Sequence, residues 1–147
     1  MFKLLIFCLL FSLSSCSQSN TEKVDLGKKD LQMACDEVMQ SFMKGKLDDM
    51  MQKLKDHSHF DSNTVDSIQL RVLEHFNTVY PIYGRPLSFD FIREISVKDI
   101  ITKRYYIIRF ERFYIKFEFT LYNNGKDWKI VEFNYNEEVL ELLEFTN

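Results

Sequence analysis

Between Arg104 and Tyr122 the apolar residues change parity partway along the stretch. Tyr106, Ile108 and Phe110 fall on even positions, whereas Phe113, Ile115, Phe117, Phe119 and Leu121 fall on odd ones. Successive side chains of a β-strand point to opposite faces, so one uninterrupted strand cannot hold both sets against the same core. The stretch is therefore expected to break at Glu111-Arg112 into two antiparallel strands joined by a tight turn or bulge, although neither residue is glycine.

The flanking segments extend this pattern. Asn123-Asn124-Gly125 is a hairpin signal, because Asn and Gly tolerate the positive φ angles of such turns, and a strand from Trp128 to Tyr135 is expected after it. Before the break, Leu87, Phe89 and Phe91 alternate with Ser88 and Asp90 as a half-buried strand, with the polar residues from Lys98 to Lys103 as its connection. Upstream the period becomes helical. Leu31, Ala34, Cys35, Val38 and Phe42 form one stripe of a helix from Asp30 to about Gly45, and Leu47, Met50, Met51 and Leu54 mark a second. A third helix carries Val65, Ile68, Val72, Phe76 and Val79, with Asn63 as its cap, Tyr80-Pro81 as its stop and Gly84 as the turn beyond. The tail from Glu137 to Phe145 reads as a short helix. Helices followed by an antiparallel sheet of about four strands define an α+β domain with the helices on one sheet face.

The amino terminus reads as an address. Met1-Phe2-Lys3 is a short positive start, and Leu4 to Leu13 is an apolar run well short of the roughly 20 residues a spanning helix needs. Leu13-Ser14-Ser15-Cys16 resembles the bacterial lipobox, in which the cysteine is acylated and becomes the first mature residue. The resemblance implies a signal peptide over 1–15, lipid on Cys16, and a place in the cell envelope facing the periplasm or the cell surface. Ser17 stands where the inner-membrane sorting pattern has aspartate, which tilts the expectation to the outer membrane. Residues 16–29 are polar and read as a solvated tether, leaving 30–147 as a single domain. Cys35 is then the one mature cysteine besides the anchor, a small buried hydrophobe with no disulfide partner.

The element order, together with Lys44-Gly45-Lys46-Leu47, Tyr83-Gly84 and Asp127-Trp128-Lys129-Ile130, resembles the cone-shaped nuclear-transport-factor-2-like proteins, a cystatin-like architecture. That family includes isomerases, dehydratases, ligand carriers and adaptors, so the resemblance implies a fold and leaves the activity open. Isomerases of this shape use a carboxylate base with hydroxyl donors in an apolar pocket, for which Asp90, Tyr83, Tyr106 and Tyr135 are possible parts. Packing of those tyrosine rings with their hydroxyls at the sheet margin is the other reading.

Net charge is −3, which excludes the strongly basic footprint of a nucleic-acid binder. Its distribution is uneven, with ten basic and six acidic residues from Arg85 to Lys129 and five glutamates without a base from Ile130 onward. Lys103, Tyr105 and Arg109 on one strand, and Tyr114, Lys116, Glu118 and Tyr122 on the next, are expected on the solvent face, where they form either a contact for a protein or an anionic surface, or a set of solvated cross-strand pairs. His57 and His59, flanked by Asp56 and Asp61, could hold a metal if extended, but a third ligand is not marked and a polar linker between helices accounts for them. No cofactor motif is present. The expected function is a lipid-anchored binding domain for a small apolar ligand or a partner protein, with a small isomerase or lyase and a purely structural envelope component as alternatives.

Overall fold

The computed structural model describes residues 19–143. Three helices, α1 (Ser19–Met43), α2 (Leu47–Asp56) and α3 (Ser62–Tyr83), precede four strands, β1 (Pro86–Val97), β2 (Ile101–Phe110), β3 (Tyr114–Asn123) and β4 (Trp128–Asn136). A helix α4 (Leu140–Leu143) follows, starting three residues later than the tail helix expected from Glu137. The strands form one antiparallel sheet in the order β1-β2-β3-β4, and the fold class is α+β. None of the described helices is long and apolar enough to cross a membrane. Residues 1–15 and Cys16 lie outside the described residues.

The parity change resolves as the alternation requires. Tyr106 pairs with Phe117 and Ile108 with Ile115, so even residues of β2 and odd residues of β3 share the face toward the helices. There they pack with Leu31, Val38, Met39, Phe42, Val72 and Phe76 in one core. The turn at Glu111-Arg112 works without glycine because it is docked on the end of α3. Arg112 N–H donates to Tyr83 O at 2.9 Å, and the Arg112 guanidinium donates to Pro81 O at 3.2 Å. These bonds satisfy carbonyls that a helix end otherwise leaves unpaired. They also explain why α3 continues to Tyr83, with Pro81 inside it, rather than stopping at Tyr80.

Gly84 sits at the same junction with φ +82°, and a Cβ placed there would lie 2.8 Å from Glu111 Cβ. Gly84→Ala therefore combines a left-handed backbone with a collision, and an expected loss of about 1–3 kcal/mol should appear in chemical denaturation. A change below a few tenths would show that the α3–β1 junction yields freely.

Other boundaries differ from the sequence reading. The helix is already formed at Ser19 and does not wait for Asp30, because the polar residues before Leu31 lack an apolar stripe yet extend a helix nucleated by the packed turns. Lys28, expected in the tether, reaches the sheet. The α3 cap is Asp61, whose Oδ1 accepts Thr64 N–H at 2.7 Å, instead of Asn63. In β1, register shifts at Pro86/Ser88 and Phe91/Arg93 break the alternation, and β1 has a neighbour on one side alone. Leu87 and Phe91 are consequently exposed, and Phe89 alone of that trio is half-buried.

The outer sheet face also departs from expectation. Lys116 is 1% and Glu118 5% exposed, and Tyr105 is buried beside them. In the central strands long side chains lie across one another. Lys103 and Glu118 form an ion pair at 2.5 Å, Lys116 Nζ lies 3.8 Å from Glu118 and 5.8 Å from the Tyr105 ring, and Thr120 donates to Glu132 at 2.8 Å. Tyr122 keeps its expected exposure.

Candidate functional site

Two polar constellations stand out, and their hydrogen-bond inventories separate them. The first lies in the seam between α1 and the β1–β2 pair. Arg104 holds Glu94 at 2.8 Å, Asp36 at 3.2 Å and the Tyr106 hydroxyl at 3.0 Å, while its guanidinium lies 4.3 Å over the Phe91 ring. Tyr106 in turn donates to Asp36, and Glu94 also accepts from Gln32 at 2.6 Å and Lys28 at 2.9 Å. Burial raises the Tyr106 phenol well above its ordinary range, and the bond to Asp36 adds to this. At Glu94 burial favours the neutral acid, but the bonds from Lys28, Arg104 and Gln32 outweigh it and hold the carboxyl below the ordinary value. Cys35 lies next to this network, fully buried, with its thiol pushed up to about 12 by burial, which makes it a core residue rather than a nucleophile. The guanidinium fork and the Tyr106 hydroxyl are engaged internally, so this network clamps helix to sheet.

The second constellation is an open groove of about 330 Å³ between α3 and the end of β4, lined by Arg71, Glu74, His75, Thr78 and Tyr135. Residues 71, 74, 75 and 78 fall on one side of α3 because a helix brings positions three and four apart together. Tyr135 is aimed at them from β4 by the sheet alternation, its ring stacked on Phe117 at 5.6 Å and tilted against His75 at 5.0 Å. Thr78 donates its hydroxyl to the backbone at His75 O, 2.9 Å away. The polar side-chain atoms of the other lining groups are unengaged among the described residues. Arg71, Glu74 and Tyr135 make no side-chain hydrogen bond or ion pair among the described residues, and His75 Nε2 is buried without a partner. A buried polar atom without a partner is destabilising by about 1–3 kcal/mol, so such atoms are rare and point to a role.

Burial lowers the His75 pKa, opposed by the Glu137 carboxylate, so the ring is neutral at neutral pH. Burial also raises the Tyr135 phenol, with Arg71 acting downward and Glu74 upward. His75 should titrate below 6.5 in an NMR experiment, and Glu137→Gln should lower it further. Because the folded pKa lies below the unfolded one, the unfolded chain takes up this proton first. The stability contributed by neutral His75 is complete above about pH 6.5 and declines as pH falls through the folded pKa. A ring that titrates above 6.5 would contradict the burial argument.

The residues singled out in the sequence fall in five places. Tyr135 lines the groove, whereas Tyr83 ends α3 beside the β2–β3 turn, donating to Glu137 and packed 4.6 Å from the Phe113 ring. Tyr106 belongs to the seam clamp. Asp90 and Arg109 form an ion pair at 2.9 Å on the outer face, both substantially exposed. Such a pair contributes at most about 1 kcal/mol. Tyr114 stacks on Phe113 at 4.8 Å beside the β2–β3 turn. His57 and His59 flank a bridge between Ser58 and Ile130, in which Ile130 N–H donates to His57 O at 2.9 Å and His59 N–H to Ile130 O at 3.3 Å. That segment covers part of the β4 edge, and the described residues hold no group of three metal-ligating side chains. Sequence reasoning missed Arg71, Glu74 and Thr78 as site residues. The available signal was the polar stripe 71, 74/75, 78, offset by one position from the apolar stripe of the same helix. It likewise missed Asp36, Glu94 and Arg104, whose contacts span 68 residues of chain for Asp36 and Arg104.

No family model, curated protein or solved structure matches this chain.

Proposed function

We propose that the protein is a lipid-anchored component of the bacterial cell envelope, held through Cys16 on the outer membrane, whose domain binds a small polar ligand in the α3–β4 groove. The observation that carries the binding reading is the set of unengaged groups on that groove, above all the buried and unbonded His75 Nε2. Pockets that hold small molecules combine an aromatic wall with a few convergent polar groups, and Tyr135 with Arg71, Glu74 and His75 supplies that combination. The sheet face toward the helices is filled by Tyr106, Ile108, Phe117 and Phe119, so an apolar ligand inside the sheet is less well supported than a polar one at the rim. Three helices ahead of a four-stranded antiparallel sheet also support reading the domain as a nuclear-transport-factor-2-like cone.

Orientation favours the same function. Lys28 lies against Ser96, Gln32 against Glu94, and Asp36 against Arg104, so α1 runs opposite to β1 and its first residues stand at the end of β1. Tyr135 pairs with Phe117, five residues along β3 from Tyr122, which places the groove about 17 Å from that end. A chain anchored at Cys16 would present the groove away from the bilayer.

The test is recovery of a small molecule with the full chain purified from its native envelope, identified by mass spectrometry. An Arg71→Ala/Tyr135→Ala variant should lose it. A wild-type protein that carries nothing, or a variant that keeps the molecule, would refute the groove assignment. Separately, a Cys16→Ala variant should leave the membrane fraction, and an unmodified mature amino terminus would refute the anchor.

A further inference from the structure

We infer that the turn joining β1 to β2 is a bilayer-contacting tip, seating its aliphatic side chains in the membrane interface beside the lipid anchor. The inference rests on the lipidation of Cys16 proposed above. Val97 is 62%, Ile100 48% and Ile101 38% exposed, a concentration of aliphatic surface on one short turn. Exposed Lys98 and Asp99 lie between them, and exposed Lys126 and Asp127 sit on the neighbouring β3–β4 hairpin. Aliphatic side chains flanked by charged residues suit the boundary between acyl chains and polar headgroups.

The turn is held rigidly. Ile100 N–H donates to Val97 O at 3.3 Å, and Asn123 on β3 braces it twice, donating from its backbone to Ile100 O and from its side chain to Asp99 O, each at 2.9 Å. Lys98 adopts φ 51°, a left-handed conformation uncommon for a residue with a side chain. These aliphatic groups are therefore fixed outward and cannot fold back onto the core.

The position of the turn relative to the anchor selects the bilayer as occupant. Lys28 Nζ lies 3.1 Å from Ser96 Oγ, which levels Lys28 with the end of β1. From Lys28 back to Ser19 the helix rises about 13 Å. From Ser96 the strand advances one residue, about 3 Å, to Val97, which pairs with Ile101 across the reversing turn. The aliphatic tip thus lies about 10 Å from the level of Ser19. Cys16 precedes Ser19 by three residues, a reach of at most about 10 Å. A lipid on Cys16 and the Val97–Ile101 tip consequently reach one plane, whereas Phe113, at the other end of the ten-residue β2, stands about 33 Å away along the strand.

The test uses the full lipidated chain in phosphatidylethanolamine/phosphatidylglycerol vesicles with brominated acyl chains. An environment-sensitive fluorophore is attached to Ile100→Cys, to Val97→Cys or to Phe113→Cys, and burial of Cys35 leaves the introduced thiol as the reactive one. Labels at 97 and 100 should lose at least half their emission, and the label at 113 none. Equal quenching at all three positions, or none at 97 and 100 in a chain whose Cys16 carries lipid by mass spectrometry, overturns the inference while leaving the anchor intact. Absence of lipid on Cys16 overturns the anchor and the inference with it. A spectral shift that appears without vesicles and grows with protein concentration assigns the tip to a second copy of the chain and also overturns it.

Discussion

Arg104→Met should lower the unfolding free energy by about 3 kcal/mol in urea denaturation, among the largest losses of any single side chain outside the apolar core. The guanidinium is the shared partner of Glu94, Asp36 and Tyr106, and its removal leaves two carboxylates facing each other across the α1–β1 seam without their common counter-charge. The lower end of the range for broken buried pairs applies because Asp36 keeps 44% of its side chain exposed and Glu94 retains Lys28 and Gln32. Arg104→Lys should restore less than half of the loss, since one ammonium cannot reproduce a planar fork that meets three groups. A loss below about 1 kcal/mol for Arg104→Met would place the network with solvent-screened surface pairs instead.

Phe117→Ala should be still more damaging, by about 3–5 kcal/mol, from lost burial and the cavity left behind. Phe117 is buried and sits where three elements meet, its ring 4.9 Å from Phe42 on α1, 5.8 Å from Phe133 and 5.6 Å from Tyr135 on β4. Because Tyr135 also packs on His75, the substitution should shift the His75 ring resonances at pH 7 in whatever fraction remains folded. Phe117→Leu, which keeps most of the volume, should be milder and leave those resonances nearer their native positions. An alanine variant with a small stability loss and unmoved His75 signals would show that the core and the groove are mechanically independent.

How far the sequence could be read depended on the range of the interactions involved. The break at Glu111-Arg112 was legible because alternation is a local rule, and moving every Phe of β3 to the other face is too unfavourable to be ignored. What allowed a turn without glycine there was not legible, since Arg112 reaches carbonyls of Pro81 and Tyr83 about thirty residues earlier in the chain. The same distance problem hid the end of α3. β1 misled for a different reason: its alternation at Leu87, Phe89 and Phe91 is real in the sequence, but two bulges and an edge position expose two of the three. Lys116 and Glu118 read as solvent-facing because they alternate with the apolar set of β3, and they are buried on that outer face among long side chains that include Lys103 and Tyr105 of β2.

The candidate site divides along the same line. Tyr135 was visible as a polar tip on an aromatic strand, whereas its grouping with Arg71, Glu74 and His75 required α3 to lie over β4. By itself, then, the sequence determined the α+β class, the order and approximate extent of the elements, the split of β2 from β3, and the apolar faces of the three helices. Each follows from periodicity within one segment, which residues close in the chain settle among themselves. Tertiary structure alone decided that Arg104 binds Asp36 and Glu94, that β1 lies at an edge, and that His75 closes a groove with an unbonded nitrogen. Those facts depend on which faces meet across many residues of chain, and burial and charge pairing between distant segments carry no periodic signature.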